Sequence, residues 1–151
     1  MELVIQKAVE LGVASITPLM TTHCVVRLDA ERLNKKQAQW QAIAIAACEQ
    51  SGRNQVPIVF MPCSLDTYLQ QSQAATKFVL HPNATRSCRD ITFTEGSIAL
   101  LIGPEGGLSD DEIQIAKDAQ FQPLCLGPRI LRTETAAIAA LAVLQAFSGD
   151  L

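Results

Sequence analysis

Two copies of one local pattern, strand then glycine loop then helix, constrain this chain more than any other feature. The first loop reads Ile102-Gly103-Pro104-Glu105-Gly106-Gly107, the second Leu126-Gly127-Pro128-Arg129-Ile130-Leu131-Arg132-Thr133-Glu134-Thr135. Short apolar runs over residues 97–102 and 121–126 precede them and predict buried strands. Such a unit presents backbone N–H and C=O groups to a small ligand, because glycine lets the backbone approach closely. Neither loop fits G-x-G-x-x-G or G-x-x-x-x-G-K-[ST], so the first is not a standard phosphate cradle. The pattern indicates a small-molecule site without naming the ligand.

Ser109-Asp110-Asp111-Glu112 is a capping box, which starts a helix directly after the first loop. Glu105, Asp110, Asp111 and Glu112 make that end negative, which disfavours phosphate and suits a cationic ligand. The last helix is predicted over residues 133–147, with nine consecutive apolar residues from Ala136 to Leu144. That run is too short to cross a membrane. It must instead be covered on all sides by the domain, a partner subunit, or both.

Upstream, Leu3, Val4, Ala8 and Leu11 lie on one face of a helix over residues 2–11, ended by Gly12 as a C-cap. Strands are predicted over residues 14–20, 24–28, 56–60 and 77–81, and a long helix from Asp29 or Ala30 to about Gln50. Residues 42–48 in that helix are small and apolar on nearly every side and require cover all round. Ser64 caps a short helix over residues 65–70, and residues 83–96 are irregular, a flap over the site or a plain surface connection. Strands alternating with helices imply an α/β fold, a mostly parallel sheet flanked by helices. Pattern alone argues against a knotted chain.

The length of 151 residues fits one domain, and 48% hydrophobic with 18% charged residues excludes disorder. A net charge of −3 argues against strong nonspecific RNA binding. Arg27, Arg32, Lys35, Lys36 and Arg53 are candidates for a local basic patch; a solvated helix face explains Arg32, Lys35 and Lys36 equally well. The five cysteines are scattered and form no C-x-x-C pair, so neither zinc nor a disulfide framework is expected, which suits a reducing cytosol. His23 beside Cys24 is read as structural, not as a metal-ligand pair. Glu2, Lys7 and Glu10 interrupt the first apolar run, so no signal peptide is expected there.

The pair Gly103-Pro104-Glu105-Gly106-Gly107-Leu108-Ser109-Asp110-Asp111-Glu112 and Leu126-Gly127-Pro128-Arg129-Ile130-Leu131-Arg132-Thr133-Glu134-Thr135-Ala136 resembles the cofactor site of the SPOUT methyltransferases. The match is closest to the branch that methylates N3 of a uridine in small-subunit ribosomal RNA. It extends through Ile5-Gln6-Lys7-Ala8-Val9-Glu10-Leu11-Gly12-Val13, Arg32-Leu33-Asn34-Lys35-Lys36, Ala47-Cys48-Glu49-Gln50-Ser51-Gly52-Arg53-Asn54 and Leu80-His81-Pro82, nearly the whole chain. Two departures stand out. The branch usually carries an N-terminal β-barrel that helps hold RNA, so this chain is expected to be the catalytic domain of a longer protein. Relatives often have an arginine where this chain has His23, which can touch RNA only weakly near neutral pH.

The resemblance implies a C-terminal deep trefoil knot, a cytoplasmic homodimer with its site at the subunit interface, and no metal. It implies S-adenosylmethionine bent among three loops, held by Leu80 and His81, by Ile102, Gly103, Pro104, Gly106 and Gly107, and by Leu126, Gly127, Leu131, Thr133 and Thr135. For the glycines, positive φ in a tight turn is the plain alternative. Arg132 is the first candidate to stabilise the developing uridine anion or grip phosphate, and Glu105 to sit near the sulfonium or act as base. Glu134 is a third catalytic candidate, unless it neutralises Arg132 in a structural pair. Capping or ion pairing is an equal alternative for both carboxylates. Arg129, Arg53 and Arg27 are the candidates for RNA, Arg129 and Arg53 also for a dimer contact. The competing readings are a ribose 2′-oxygen or another base as methyl acceptor, and a cofactor-binding dimeric fragment inactive without its RNA-binding domain.

Overall fold

The computed structural model, which describes residues 1–24, 29–92 and 95–151, builds the chain from short parallel strands joined by helices. Helix α1 (Glu2–Glu10) leads into β1 (Ser15–Ile16) and β2 (Leu19–Met20), followed by α2 (Ala30–Ser51), β3 (Ile58–Val59), β4 (Cys63–Ser64) and α3 (Leu65–Gln71). The second half holds β5 (Thr76–Leu80), a 3-10 turn at Cys88–Asp90, β6 (Ile98–Leu101), α4 (Asp110–Asp118), β7 (Gln122–Leu124) and α5 (Thr133–Ser148). Every strand pairing among the described residues is parallel: β1 with β3, β2 with β4, and β5 between β6 and β7. The layered α/β expectation therefore holds.

Alternation along β5 divides the second half into two faces. Val79, with Ala99 and Leu101 of β6, packs under α3 and α4 against Leu65, Leu69, Ile113, Ala116 and Phe121. Phe78 turns the other way and packs with Leu124 and with Leu144 of α5. A third cluster joins Ile5 and Val9 of α1 to Ala44, Ala47 and Cys48 of α2 and to Val59. The outer edge of β3 is closed by α2 rather than by another strand. Gln41 accepts from the Val59 N–H at 2.8 Å and donates to the Pro57 carbonyl at 3.0 Å, while Gln37 donates to the Val59 carbonyl at 2.7 Å.

Several expectations are corrected. The strand over residues 14–20 breaks at Thr17 and Pro18 into β1 and β2, and β4 was not anticipated because two residues carry no readable period. The strand proposed over residues 24–28 lies almost wholly outside the described residues, as does Arg27. The middle of α2 is not covered all round, for Ala42 and Ala46 are exposed and Ile45 is 43% exposed. Helix α5, expected to be covered by the domain, a partner subunit or both, is covered by this chain in part: Ala137, Ala140 and Leu144 are buried, while Ile138, Leu141 and Val143 are half-buried and Phe147 is 62% exposed. Residues 83–92 are tied down in part, through the capping box of Ser87 and Asp90 and a parallel bridge from Ser87 to Cys125.

The end of α1 is a junction that the sequence did not announce. Leu11 is the C-cap, and Gly12 follows at φ +83°. Gln145 of α5 donates to the Leu11 carbonyl at 2.7 Å. Arg53 donates through Nη1 to the carbonyls of Val9 at 2.8 Å and Val13 at 3.0 Å, so its guanidinium holds α1 to the end of α2. Hydrogen bonds to a charged donor contribute more than neutral ones, so Arg53→Ala should lower stability by about 2–3 kcal/mol in urea unfolding. A change below about 0.5 kcal/mol would mean the guanidinium is free for another task.

Candidate functional site

The strands of the three-stranded sheet end together, and their C-terminal extensions form a cavity of about 570 Å³. Open α/β sheets bind ligands at this end, where strand order reverses and the carboxyl termini diverge. Here β6 and β7 lie on opposite sides of β5, although only α4 separates them in sequence. The cavity is walled by Leu80, His81 and Pro82 after β5, by residues 102–105, Gly107 and Leu108 after β6, and by Leu124–Gly127 and residues 129–134 around β7 and the start of α5. Ile113 and Ala136 complete it. The volume is within the roughly 300–1,000 Å³ of small-molecule sites.

Local geometry explains how each loop holds its shape. After β5, the His81 N–H donates to the Leu124 carbonyl at 3.0 Å, and the Asn83 N–H donates to His81 Nδ1 at 3.2 Å. That leaves the proton of the neutral ring on Nε2. In the first glycine loop the Gly107 N–H donates to the Pro104 carbonyl at 2.8 Å, closing a tight turn with Gly107 at φ +73°. Gly103 is required for a different reason. A Cβ there would lie 3.0 Å from the Leu108 nitrogen and 3.1 Å from Leu108 Cγ. The simple expectation of positive φ holds for Gly107 and Gly127 but not for Gly103 or Gly106, where the need is for space.

The charged wall consists of Glu105, Arg129, Arg132 and Glu134. Among the described residues none of the four takes part in an ion pair, so the structural Arg132–Glu134 pair is not formed. Glu105 is exposed and caps no helix, because the α4 cap is Ser109. Arg132 is itself the N-cap of α5, its carbonyl accepting from the Ala136 N–H at 2.8 Å. The backbone is thus fixed while the guanidinium makes no cap hydrogen bond. Glu134 lies in the first turn of α5.

Glu112 departs from the expectation that it adds negative charge for a ligand. It is only 7% exposed. Its Oε2 accepts from the Ser109 N–H at 2.8 Å, and its Oε1 accepts from the Thr22 N–H at 2.7 Å. Burial pushes the carboxyl up, but the hydrogen bonds from Thr22 and Ser109 outweigh it and hold the group below the usual carboxylate range. A depressed folded value means the bonds stabilise the fold above the unfolded carboxylate range and lose that effect as pH falls through the lowered value.

Of the remaining candidates, Leu80, His81, Ile102, Gly103, Pro104, Gly107, Leu126, Gly127, Leu131, Thr133 and Arg129 line the cavity. Gly106 and Thr135 do not: Gly106 turns outward against His23, and Thr135 is exposed on α5. Arg53 is also absent from the wall, occupied as it is at the end of α1. Leu108, Ile113, Leu124, Cys125 and Ala136 were missed, and Ile130 was included only as part of the second loop. Leu124 and Cys125 directly precede the second loop and were findable by contiguity, whereas nothing in the sequence marks Ile113. Among the described residues no helix is long and apolar enough to cross a membrane, and no group of three or more His, Cys, Asp or Glu could hold a metal ion.

The family profile described as RNA methyltransferase domain matches residues 1–145. The chain is 42% identical over 148 residues to the ribosomal RNA small subunit methyltransferase E of Buchnera aphidicola subsp. Schizaphis graminum, covering 97% of this chain and 60% of that protein. A structure from Legionella pneumophila, solved in complex with the cofactor SAM, superimposes with a TM-score of 0.96 at 52% identity, over 100% of this chain and 62% of the other. The ribosomal RNA small subunit methyltransferase E of Neisseria gonorrhoeae, solved bound to S-adenosyl methionine, gives 0.91 at 42% identity over 97% and 60%. The chain thus spans about 60% of the length of these relatives.

Proposed function

The chain belongs to the RNA methyltransferase domain family, and on that premise we propose that it binds S-adenosylmethionine in this cavity and methylates N3 of a uridine in small-subunit ribosomal RNA. The observation that carries the reading is the convergence of three loops, 80–82, 102–107 and 126–134, on one cavity at the ends of β5, β6 and β7. Apolar walls from Leu80, Ile102, Leu126 and Leu131 suit an adenosine, and Glu105 and Glu134, which form no ion pair among the described residues, suit a positive charge. The residues therefore fit the cofactor.

When bound, that cofactor supplies an electrophilic methyl group on a sulfonium. The chain's task is to hold uridine N3 in line with it and to manage the N3 proton. Arg132 donates from its guanidinium fork to a uridine carbonyl oxygen, stabilising the negative charge that develops as the N3–H bond breaks. Glu105 accepts the N3 proton, or faces the sulfonium and leaves the proton to solvent water, and Glu134 holds the same rim negative. Arg129, exposed beside Ile130, is the candidate for an RNA phosphate. No other group is needed, since positioning and electrostatics carry most of such a transfer.

The same reading includes a deep trefoil knot in the second half, a single methyltransferase domain over residues 1–151, a cytoplasmic place of action and a two-fold dimer. Support for the dimer comes from apolar surface that the chain leaves open: half-buried Ile138, Leu141 and Val143 on α5, exposed Phe147, and Ile130, 86% exposed at the cavity mouth. Sedimentation equilibrium at micromolar concentration should report a dimer. A stable monomer would remove this part of the proposal.

The acceptor atom is tested by supplying methyl-labelled cofactor and small ribosomal subunits to the full-length protein and digesting the RNA for mass spectrometry. N3-methyluridine is the expected product. Label on a ribose 2′-oxygen or on another base would replace the uridine reading with the alternative named for this fold.

A further inference from the structure

Glu112 is the only buried charged side chain among the described residues, and its bonding exceeds what a helix cap requires. A capping box uses one Glu oxygen, and Oε2 fills that role on the Ser109 N–H. The second oxygen takes the Thr22 N–H at 2.7 Å, from a residue 90 positions away. A buried carboxylate is tolerated only when hydrogen-bonded, so these two backbone donors and Glu112 depend on each other.

A second contact lies on the other side of Leu108 and Ser109. The Gly107 carbonyl can only accept, so His23 Nδ1 is the donor of their 3.0 Å bond. A Cβ added at Gly106 would fall 3.1 Å from His23 Cβ, so the imidazole side chain lies directly against that glycine. Between the two ties, Leu108 is the residue that backs Gly103 in the cavity wall. Among the described residues the buried Thr21 Oγ1 has no hydrogen-bond partner.

We infer that Glu112 is a positioning residue for the cavity, with His23 as a second point of attachment: together they clamp residues 21–23 to the outer side of the first glycine loop and hold residues 103–107 in their ligand-receiving shape. Neither side chain lines the cavity, and the role rests on the cofactor site proposed above.

The test compares Glu112→Gln, His23→Ala and Arg53→Ala by two readouts. Glutamine offers one acceptor oxygen in place of two, so one of the amides of Thr22 and Ser109 loses its partner. Calorimetric titration with S-adenosylmethionine should show Kd raised about tenfold by Glu112→Gln and about threefold by His23→Ala, with Arg53→Ala at the wild-type value. Amide hydrogen exchange without ligand should be faster at Thr22 and Gly107 in both clamp variants, while the β5 amides keep their protection. If Glu112→Gln does not fold, His23→Ala alone decides, being an exposed residue. Unchanged affinity and unchanged Gly107 exchange would overturn the inference, as would an equal loss of affinity in Arg53→Ala. If the wild-type chain binds no cofactor, the proposed function fails separately, and the exchange data alone judge the clamp.

Discussion

Replacing Gly103 with valine should weaken S-adenosylmethionine binding more than 100-fold, a loss of about 3 kcal/mol. The reason is local. The position has no free volume on its side-chain face, since an added Cβ would sit 3.0 Å from the Leu108 nitrogen and 3.3 Å from the Gly107 carbonyl carbon. Both are backbone atoms that cannot swing aside. Valine adds two further methyl groups, so residues 102–108 must move outward and take one wall of the cavity with them. Gly107 makes the contrast. Nothing lies within 4 Å of a Cβ there, and only its φ of +73° opposes a side chain. Gly107→Ala should therefore cost roughly 1 kcal/mol, a few-fold to tenfold in affinity. Circular dichroism should show both variants folded. A Gly103→Val protein that binds within a few-fold of wild type would mean this wall does not touch the cofactor.

Arg132→Ala should lower the methyl-transfer kcat by about 10²–10³ while changing cofactor affinity less than threefold. Arg132 lines the cavity and forms no ion pair among the described residues, and the α5 N-cap fixes its backbone. It is thus available to a charge that exists only as the N3 proton leaves. Lysine keeps the charge but not the planar fork, so Arg132→Lys should fall between wild type and alanine. Single-turnover rates on small ribosomal subunits separate this from weaker RNA binding. An alanine variant defective only in KM would make Arg132 a phosphate contact instead.

What could be read in the sequence was what is local. The two glycine loops, the Ser109–Glu112 capping box and the Ser64 cap depend on residues within a few positions of one another, and all three recur in the structure. The order β6-β5-β7 was not readable, because no residue pattern says that α4 carries the chain across β5. Arg53 looked like a surface cation because its partners, the Val9 and Val13 carbonyls, are more than 39 residues away and leave no trace in composition. Glu112 was legible as a cap and illegible as a clamp for the same reason. The small apolar runs in α2 and α5 call for cover all round, for α5 from the domain, a partner subunit or both, and this chain supplies neighbours for only part of each helix. The opposite face of α5 is where the proposed partner subunit would lie.

If the cavity at the ends of β5, β6 and β7 is a cofactor site, calorimetric titration of this chain with S-adenosylmethionine will report it. Saturable binding with one site per chain is expected, lost in Gly103→Val and kept in Arg132→Ala. No heat and no saturation from a folded wild-type chain would contradict it.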